Sequence, residues 1–306
     1  MSKLSIIVPC FNEDESLPIF YDAVCKELDS LCAFELYLVD DGSKDGTLKV
    51  IKELAAKDSR VRYISFSRNF GKEAALYAGL SACTGDYVAV ADADMQDPPS
   101  LLPKMLHILE TEDYDCVCTR RVTRAGEPPV RSFFARRFYK LINSISSTEF
   151  KDGARDFRLM KRQMVDAILS MTEYNRFSKG LFSWVGFKIK WLEYENIERV
   201  AGNTKWSFWG LTKYAIDGIV AFSTVPLLIS CFFAVIVLLA ALVMFICCLV
   251  LSPMPAWLPL GTLIVFCTGA LQTSIAILSL YFSKTYTETK GRPIYIIKEQ
   301  SPKQEE

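Results

Sequence analysis

The first third of the chain alternates short apolar runs with segments of helical period. Leu4–Pro9 is a continuous apolar run and predicts a buried strand. Ser16–Leu31 predicts a helix with Ser16 as its N-cap, Leu36–Val39 a second strand, Gly46–Ala56 a helix, and Val61–Phe66 a third strand. Lys72–Ala82 (helix), Tyr87–Ala91 (strand), Pro99–Glu110 (helix) and Asp115–Thr119 (strand) continue the pattern. Unbroken apolar strands alternating with helices predict an α/β protein with a mostly parallel sheet covered on both faces. Ligands of such sheets bind beyond the carboxyl ends of the strands. Polar clusters fall at those ends: Asn12 and Glu13, Asp40 and Asp41, Arg68 and Asn69, Asp92 and Asp94, Arg120 and Arg121. Residues 121–200 are less regular. Val130–Ser147 mixes arginines with aromatics, which suits a helix at a membrane surface or an amphipathic helix packed on the sheet, and Lys188–Val200 alternates enough for a strand or hairpin arm.

The remainder changes character. Gly218 to Ser283 contains no Asp, Glu, Lys, Arg or His. Val225–Leu251 and Leu258–Phe282 are each long enough to cross a bilayer, joined by a turn over Ser252–Trp257. Lys205 and Lys213 precede the first run, and Lys284, Lys290, Arg292 and Lys298 follow the second. By the positive-inside bias both chain ends are expected in the cytoplasm of a multi-pass inner-membrane protein. Trp206, Trp209, Tyr214, Phe222, Tyr281 and Tyr286 are expected at the interfaces, and Gly261, Gly269 and Ala270 fit packing between copies of the chain in a homo-oligomer. A transporter is disfavoured, because spans without ionisable residues offer no polar pathway.

Charge and cysteines narrow the chemistry. The 306 residues carry 35 Lys+Arg against 35 Asp+Glu, a balance that argues against nucleic acid as a partner. Ten cysteines without a C-x-x-C, beside a single histidine, provide no zinc site and read as reduced thiols. The N-terminus runs straight into a strand, without a signal-peptide pattern. His107, in a helix with apolar neighbours, is an ordinary helix residue, and a Ser-His or Cys-His hydrolase has no supporting motif.

Asp92 and Asp94, one residue apart at a strand end, can converge on one hard cation, with Gln96 adding an oxygen; Mg²⁺ or Mn²⁺ is the expected cofactor, neutralising a diphosphate. Asp40 and Asp41 end another strand, where a carboxylate serves either a ribose hydroxyl or base N–H, or simply a turn. Gly71 and Lys72 start a helix, which makes either an anion site or an exposed lysine. Neither a G-x-G-x-x-G nor a P-loop is present.

Taken in order, SIIVPCFNE (Ser5–Glu13), VDDGS (Val39–Ser43), NFGK (Asn69–Lys72) and DADMQDPP (Asp92–Pro99) resemble family 2 glycosyltransferases of GT-A fold. The likeness is strongest to polyprenyl-phosphate glycosyltransferases, the group that includes dolichol-phosphate mannose synthase and bacterial undecaprenyl-phosphate glucosyltransferases. DGARDFRLM (Asp152–Met160), RVAGNTKWS (Arg199–Ser207) and the two-span tail extend it over almost the whole chain. GNTK at residues 202–205 departs from the family's more usual GESK but keeps a hydroxyl and the lysine.

The resemblance implies a cytoplasmic GT-A domain over 1–200, an interfacial segment over 201–224, two transmembrane helices over 225–282 and a tail over 283–306. It implies that Pro9, Phe11, Glu13 and Asp41 form the base and ribose pocket, with Lys72, Asp92 and Ala93 also on the nucleotide sugar. Asp92, Asp94 and Gln96 would hold the metal, and Asp94 and Asp156 would stand at the reaction centre. Arg199 and Lys205 would lie on a loop closing over the diphosphate, and Arg120 and Arg131 would grip the acceptor phosphate. For Asp156 the plain alternative is a salt bridge with Arg155 or Arg158.

The expected reaction is inverting transfer of a single sugar, UDP-glucose favoured, to undecaprenyl phosphate for the cell envelope; the Q-x-x-R-W motif of processive relatives is missing. Other donors (GDP-mannose, UDP-GlcNAc, UDP-galactose), another lipid acceptor such as diacylglycerol, or an inactive membrane-tethered scaffold are the alternatives.

Overall fold

The computed structural model describes residues 2–121, 137, 140, 142–146, 151, 154–194, 208–250 and 257–302. The predicted alternation is present: β1 (Lys3–Cys10), α1 (Leu17–Leu28), β2 (Ala33–Asp40), α2 (Thr47–Lys57), β3 (Val61–Phe66), α3 (Lys72–Ala82), β4 (Tyr87–Val90), α4 (Leu102–Thr111) and β5 (Cys116–Arg121). Then follow β6 (Ala154–Lys161), α5 (Arg162–Ser170), α6 (Ser178–Trp184), β7 (Ile189–Tyr194), α7 (Phe208–Phe222), α8 (Val225–Val250), α9 (Trp257–Thr289) and β8 (Ile297–Gln300).

The eight strands form one sheet in the order β7-β5-β6-β4-β1-β2-β3-β8. β1 pairs in parallel with β2 and β4, and β2 with β3. β6 runs antiparallel between β4 and β5, and β7 is parallel to β5. The carboxyl ends of β1, β2, β4, β5 and β7 therefore share one edge with the amino end of β6.

Alternation along β1 explains why both faces are covered. Ile6 and Val8 pack with Phe20, Val24, Met105 and Leu109 of α1 and α4, whereas Ile7 packs with Ala75, Leu76, Met164 and Phe182 of α3, α5 and α6. The small residues of α3 let it sit close to the sheet. A Cβ on Gly79 would stand 2.1 Å from Ile7 Cγ2 and 3.3 Å from Val39 Cγ2.

Three sequence expectations are corrected. Ser16 is not a side-chain cap: its backbone is already helical, and its hydroxyl donates to Glu13 Oε2 at 2.8 Å and Glu13 O at 3.2 Å. Residues 154–161, left without a strand by the apolar pattern, form the buried antiparallel β6. In the 283–306 segment, α9 continues to Thr289, and β8 then pairs antiparallel with β3. Ser67 N–H donates to Ile296 O (3.0 Å), Lys52 pairs with Glu299 (2.7 Å), and Tyr295 stacks on Phe66 at 4.9 Å, so the open edge of β3 is covered. The eight described cysteines form no disulfide, and His107 is exposed on α4.

α8 has 26 residues and α9 has 33, both long and apolar enough to cross a membrane. Thirty-three residues at helical rise span about 50 Å, more than a bilayer core of about 30 Å. The last turns of α9 accordingly reach the α/β unit, where Lys284 pairs with Asp217 of α7 at 2.6 Å. Tyr281 donates to Ser223 O (2.6 Å), which sets the end of α9 beside the start of α8. Phe222 packs on Phe177 at 5.9 Å. Most of Val130–Ser147, and the turn over 252–256, lie outside the described residues.

Overpacking at the α3–β1 contact gives the first prediction. Gly79→Ala should destabilise the α/β unit by about 2 kcal/mol, whereas Ser81→Ala, exposed on the same helix, should be neutral. Thermal unfolding of the detergent-solubilised full chain measures both; equal melting temperatures would contradict the close α3–β1 seat.

Candidate active site

The carboxyl edge of the sheet is built by three tied loops. Asp41 N–H donates to Cys10 O (2.9 Å), Asn12 N–H to Ser43 Oγ (3.0 Å), and Glu13 N–H to Thr47 Oγ1 (2.7 Å). This places Pro9, Phe11, Glu13 and Asp41 side by side across the β1–β2 ends. Asn12 takes a left-handed backbone at φ 55°, a conformation asparagine tolerates better than most residues. Gly42 is glycine of necessity: at φ +67° a Cβ would lie 2.5 Å from the Arg68 carbonyl carbon.

Asp41, read from sequence as a ribose or base ligand, is buried and turned toward the third loop. It accepts from Phe70 N–H (2.6 Å) and Gly71 N–H (2.9 Å). Burial pushes its carboxyl up to about 6, against the pull of those two backbone donors. This clasp sets where α3 begins, and hence where Lys72 stands.

Lys72 is the centre of the edge. Its ammonium lies 2.7 and 3.0 Å from the two carboxylate oxygens of Asp92 and 2.7 Å from Asp156 Oδ2. The Lys72, Asp92 and Asp156 side chains are 34%, 25% and 19% exposed, so water screens them only in part and the ion pairs compensate the charge. Burial opposes both the ammonium and the Asp156 carboxylate. Even so, the two carboxylates raise Lys72, and Lys72, joined by Lys179 and Arg158, holds Asp156 far below the ordinary range. Lys72 is therefore engaged by carboxylates, a partnership that the glycine-lysine helix start did not reveal. The salt bridge of Asp156 with Arg155 or Arg158 is not formed: Arg155 pairs with Asp97, and Arg158 donates to the Asp156 and Arg155 carbonyls.

β4 ends at Val90, so Asp92, Ala93 and Asp94 lie in the turn beyond it. Ala93 and Asp94 are buried, Asp94 Oδ1 accepts from Gln96 N–H (3.1 Å), and Met95 between them is left-handed at φ 59°. A non-glycine residue in that region signals a turn held by its surroundings. What holds it is Asp97, which sequence reasoning missed. Fully buried, Asp97 accepts from Arg155 Nε (2.9 Å) and Nη2 (3.0 Å) and from the Tyr194 hydroxyl. Arg155 Nη2 also stands 3.5 Å from Gln96 Oε1. The only sequence signal was a third acidic residue in the same turn.

Two carboxylates and an amide oxygen within five residues are a hard-oxygen set suited to Mg²⁺ or Mn²⁺. Among the described residues no group of three His, Cys, Asp or Glu is assembled for a metal. Arg120 is the penultimate residue of β5, with Nη1 3.7 Å from Glu193. Arg131, Arg199 and Lys205 lie outside the described residues. A second residue missed from sequence, Glu73, follows Lys72 and accepts from both the backbone N–H (2.9 Å) and the hydroxyl of Ser178.

A cavity of about 1150 Å³ opens between α3, α6, α7 and α9, lined by Glu73, Asn175, Phe177, Phe222, Lys284 and Glu288. Asp92, Asp94 and Asp156 do not line it. Among the described lining residues the acidic side chains (Glu73, Glu173, Asp217, Glu288) outnumber the cations (Arg176, Lys284).

These features are those of a glycosyltransferase of GT-A fold. Residues 5–169 match the model of glycosyl transferase family 2, and the chain belongs to that family. It is 41% identical over 302 residues to the putative glycosyltransferase CsbB of Bacillus subtilis (strain 168), covering 97% of this chain and 91% of the relative. It is 40% identical over 303 residues to the bactoprenol glucosyl transferase of Shigella phage SfX (97% and 99%) and over 313 residues to the prophage bactoprenol glucosyl transferase homolog of Escherichia coli (strain K12) (97% and 98%). Among solved structures it is similar to glucosyl-3-phosphoglycerate synthase from Mycobacterium tuberculosis in complex with Mn²⁺, UDP-glucose and phosphoglyceric acid. That likeness has 21% identity and a TM-score of 0.48, and covers 72% of this chain and 78% of that one.

Glu73 provides a pH test. Burial raises its carboxyl from 4.5 to about 7. The folded state then holds a proton that the unfolded chain has released, so stability falls as pH rises from about 4.5 to 7 and levels off above. Relative to Glu73→Gln, which keeps an oxygen acceptor for Ser178, the wild type should lose about 2 kcal/mol across that window, a figure reduced for partial solvent contact. Melting temperatures of both proteins from pH 5 to 8 check it; a pH-independent difference would contradict the shift.

Proposed function

We propose that this chain transfers one glucose from UDP-glucose to the phosphate of undecaprenyl phosphate at a membrane surface, with inversion at the anomeric carbon. The observation that carries this reading is the meeting of a D-x-D turn, Lys72 and Asp156 at the carboxyl edge of a sheet whose chain continues into two bilayer-length apolar helices. The relatives' name, bactoprenol glucosyl transferase, supports the sugar and the polyprenyl acceptor.

The acceptor phosphate is already an anion at neutral pH and attacks without a strong general base, in keeping with a single histidine exposed on α4. The obstacles are charge repulsion and alignment. Arg120 and Arg131 take the acceptor phosphate, and Arg199 and Lys205 take the donor diphosphate. Asp156, kept ionised by Lys72, does not act as a proton donor; it accepts a hydrogen bond from a sugar hydroxyl and so orients the ring. Asp92, Asp94 and Gln96 would hold a divalent cation, which would supply positive charge to the leaving diphosphate. Pro9, Phe11 and Glu13 flank the base and ribose, and the Asp41 clasp shapes their floor. α8 and α9 form the membrane hairpin, with both of its ends on the side of the α/β unit.

A panel of radiolabelled nucleotide sugars, offered with undecaprenyl phosphate to membranes containing the full chain, tests the reaction; label from UDP-glucose should enter the lipid fraction. Asp94→Asn should lower the rate at least a hundredfold, on the order of 3 kcal/mol in transition-state stabilisation. Initial rates after EDTA washing and Mn²⁺ supplementation measure this, and near-normal turnover would remove the metal assignment. Arg131→Ala should raise the KM for lipid phosphate and leave UDP binding unchanged, with Arg131→Lys rescuing only in part because an ammonium cannot grip phosphate through two donors. Kinetics and calorimetry separate the two substrates, and weakened UDP binding would reassign the residue.

A further inference from the structure

One short segment, Tyr174–Ser178, which leads into α6, touches both α9 and the helix that carries Lys72. At one end Glu288 of α9 accepts from Tyr174 N–H, Asn175 N–H and Asn175 Nδ2, each at 2.9 Å. Asn175 Nδ2 also donates to Thr287 Oγ1 (2.8 Å) on the same helix. In the middle, the Phe177 ring packs on Phe222 of α7, and the Arg176 guanidinium lies 4.5 Å over the Tyr77 ring of α3. At the other end Ser178 donates its N–H and its hydroxyl to Glu73, the residue after Lys72.

The backbone donors of a loop need acceptors, and water or a neutral group would serve. Here two helices supply the acceptors: Glu288 of α9 takes the Tyr174 and Asn175 N–H groups in charge-assisted bonds stronger than neutral ones, and Glu73 of α3 takes the Ser178 N–H. We propose that Tyr174–Ser178 is a positioning strut: gripped by Glu288 on α9 and by Glu73 on α3, it transmits the seating of the α/β unit on its membrane helices to the position of Lys72. Glu73, Ser178 and Glu288 are then positioning residues. A polyprenyl phosphate is fixed in height by the bilayer while the sugar donor is fixed by the sheet edge, so the two reacting groups align only if the edge stands at a set distance from the helices. A misplacement of about 1 Å is enough to slow such a reaction severely. The inference rests on Lys72 belonging to the reaction centre.

Glu288 is exposed and remote from the site, so Glu288→Ala should fold normally. The test uses the full chain in nanodiscs and two readouts. In Glu288→Ala, amide hydrogen exchange over residues 69–76 should accelerate, with α1 unchanged. The kcat for transfer to undecaprenyl phosphate should fall about tenfold, while the KM for UDP-glucose stays within about twofold. Ser178→Ala should behave alike, and the double variant should be no worse than about tenfold, because both ends belong to one strut; independent effects would multiply to about a hundredfold. Wild-type exchange at 69–76 in Glu288→Ala, an unchanged kcat, or multiplied losses would each overturn the strut. If exchange responds but the wild-type chain transfers no glucose, the strut stands and the substrate reading falls; if the wild type transfers glucose and exchange does not respond, the strut falls and the substrate reading stands.

Discussion

The Lys72 ammonium lies between Asp92 and Asp156, and the arrangement of the sheet edge depends on that charge. Two half-buried carboxylates, Asp92 from the turn after β4 and Asp156 from β6, face each other there, and the ammonium between them offsets their repulsion. Lys72 keeps Asp156 ionised and draws the β4 turn toward β6. Its own place is set by Asp41, whose carboxylate clasps the Phe70 and Gly71 N–H groups just before α3 begins. Four motifs far apart in sequence are thus tied through one ammonium and one buried carboxylate.

Around that centre the structure spends several buried charges on geometry. Asp97 is fully buried, yet Arg155 and Tyr194 satisfy it, and in return it fixes a turn with a left-handed Met95. Removing one partner from such a group leaves an uncompensated charge, which is why it constrains conformation so tightly. Glu73 likewise fixes Ser178, and Glu288, exposed on α9, holds the Tyr174–Asn175 backbone. The sheet edge, the 174–178 segment and α9 are therefore joined by carboxyl groups that accept backbone or arginine donors. The β8 strand adds a second return path from α9 to the sheet.

Much of this was legible in the chain. Apolar runs covered on both faces are a local signal, so β1 to β5 and their helices were located within a few residues. The motifs at strand ends followed, because a parallel sheet always presents its strand termini at one edge. Two helices of bilayer length were equally plain, since an unbroken stretch without charge needs no tertiary knowledge to read. β6 was not legible. Arg155, Asp156 and Arg158 interrupt its apolar pattern and are tolerated only because Asp97, Lys72 and backbone carbonyls meet them in the fold. β8 was missed for a related reason: IKEQ is polar, and only the waiting edge of β3 makes it a strand.

The sequence by itself determined the α/β class, the chemistry-bearing residue types and the edge on which they gather, because period and strand termini are properties of neighbouring residues. Tertiary structure alone decided which charge meets which. Lys72 is 84 residues from Asp156, Asp97 is 58 from Arg155, and Glu73 is 105 from Ser178. Such pairings depend on crossovers and strand order, which no local pattern encodes. The proton affinity of a carboxylate depends in turn on burial and on partners brought in from across the chain, so the lowered Asp156 and the raised Glu73 are properties of the folded protein alone.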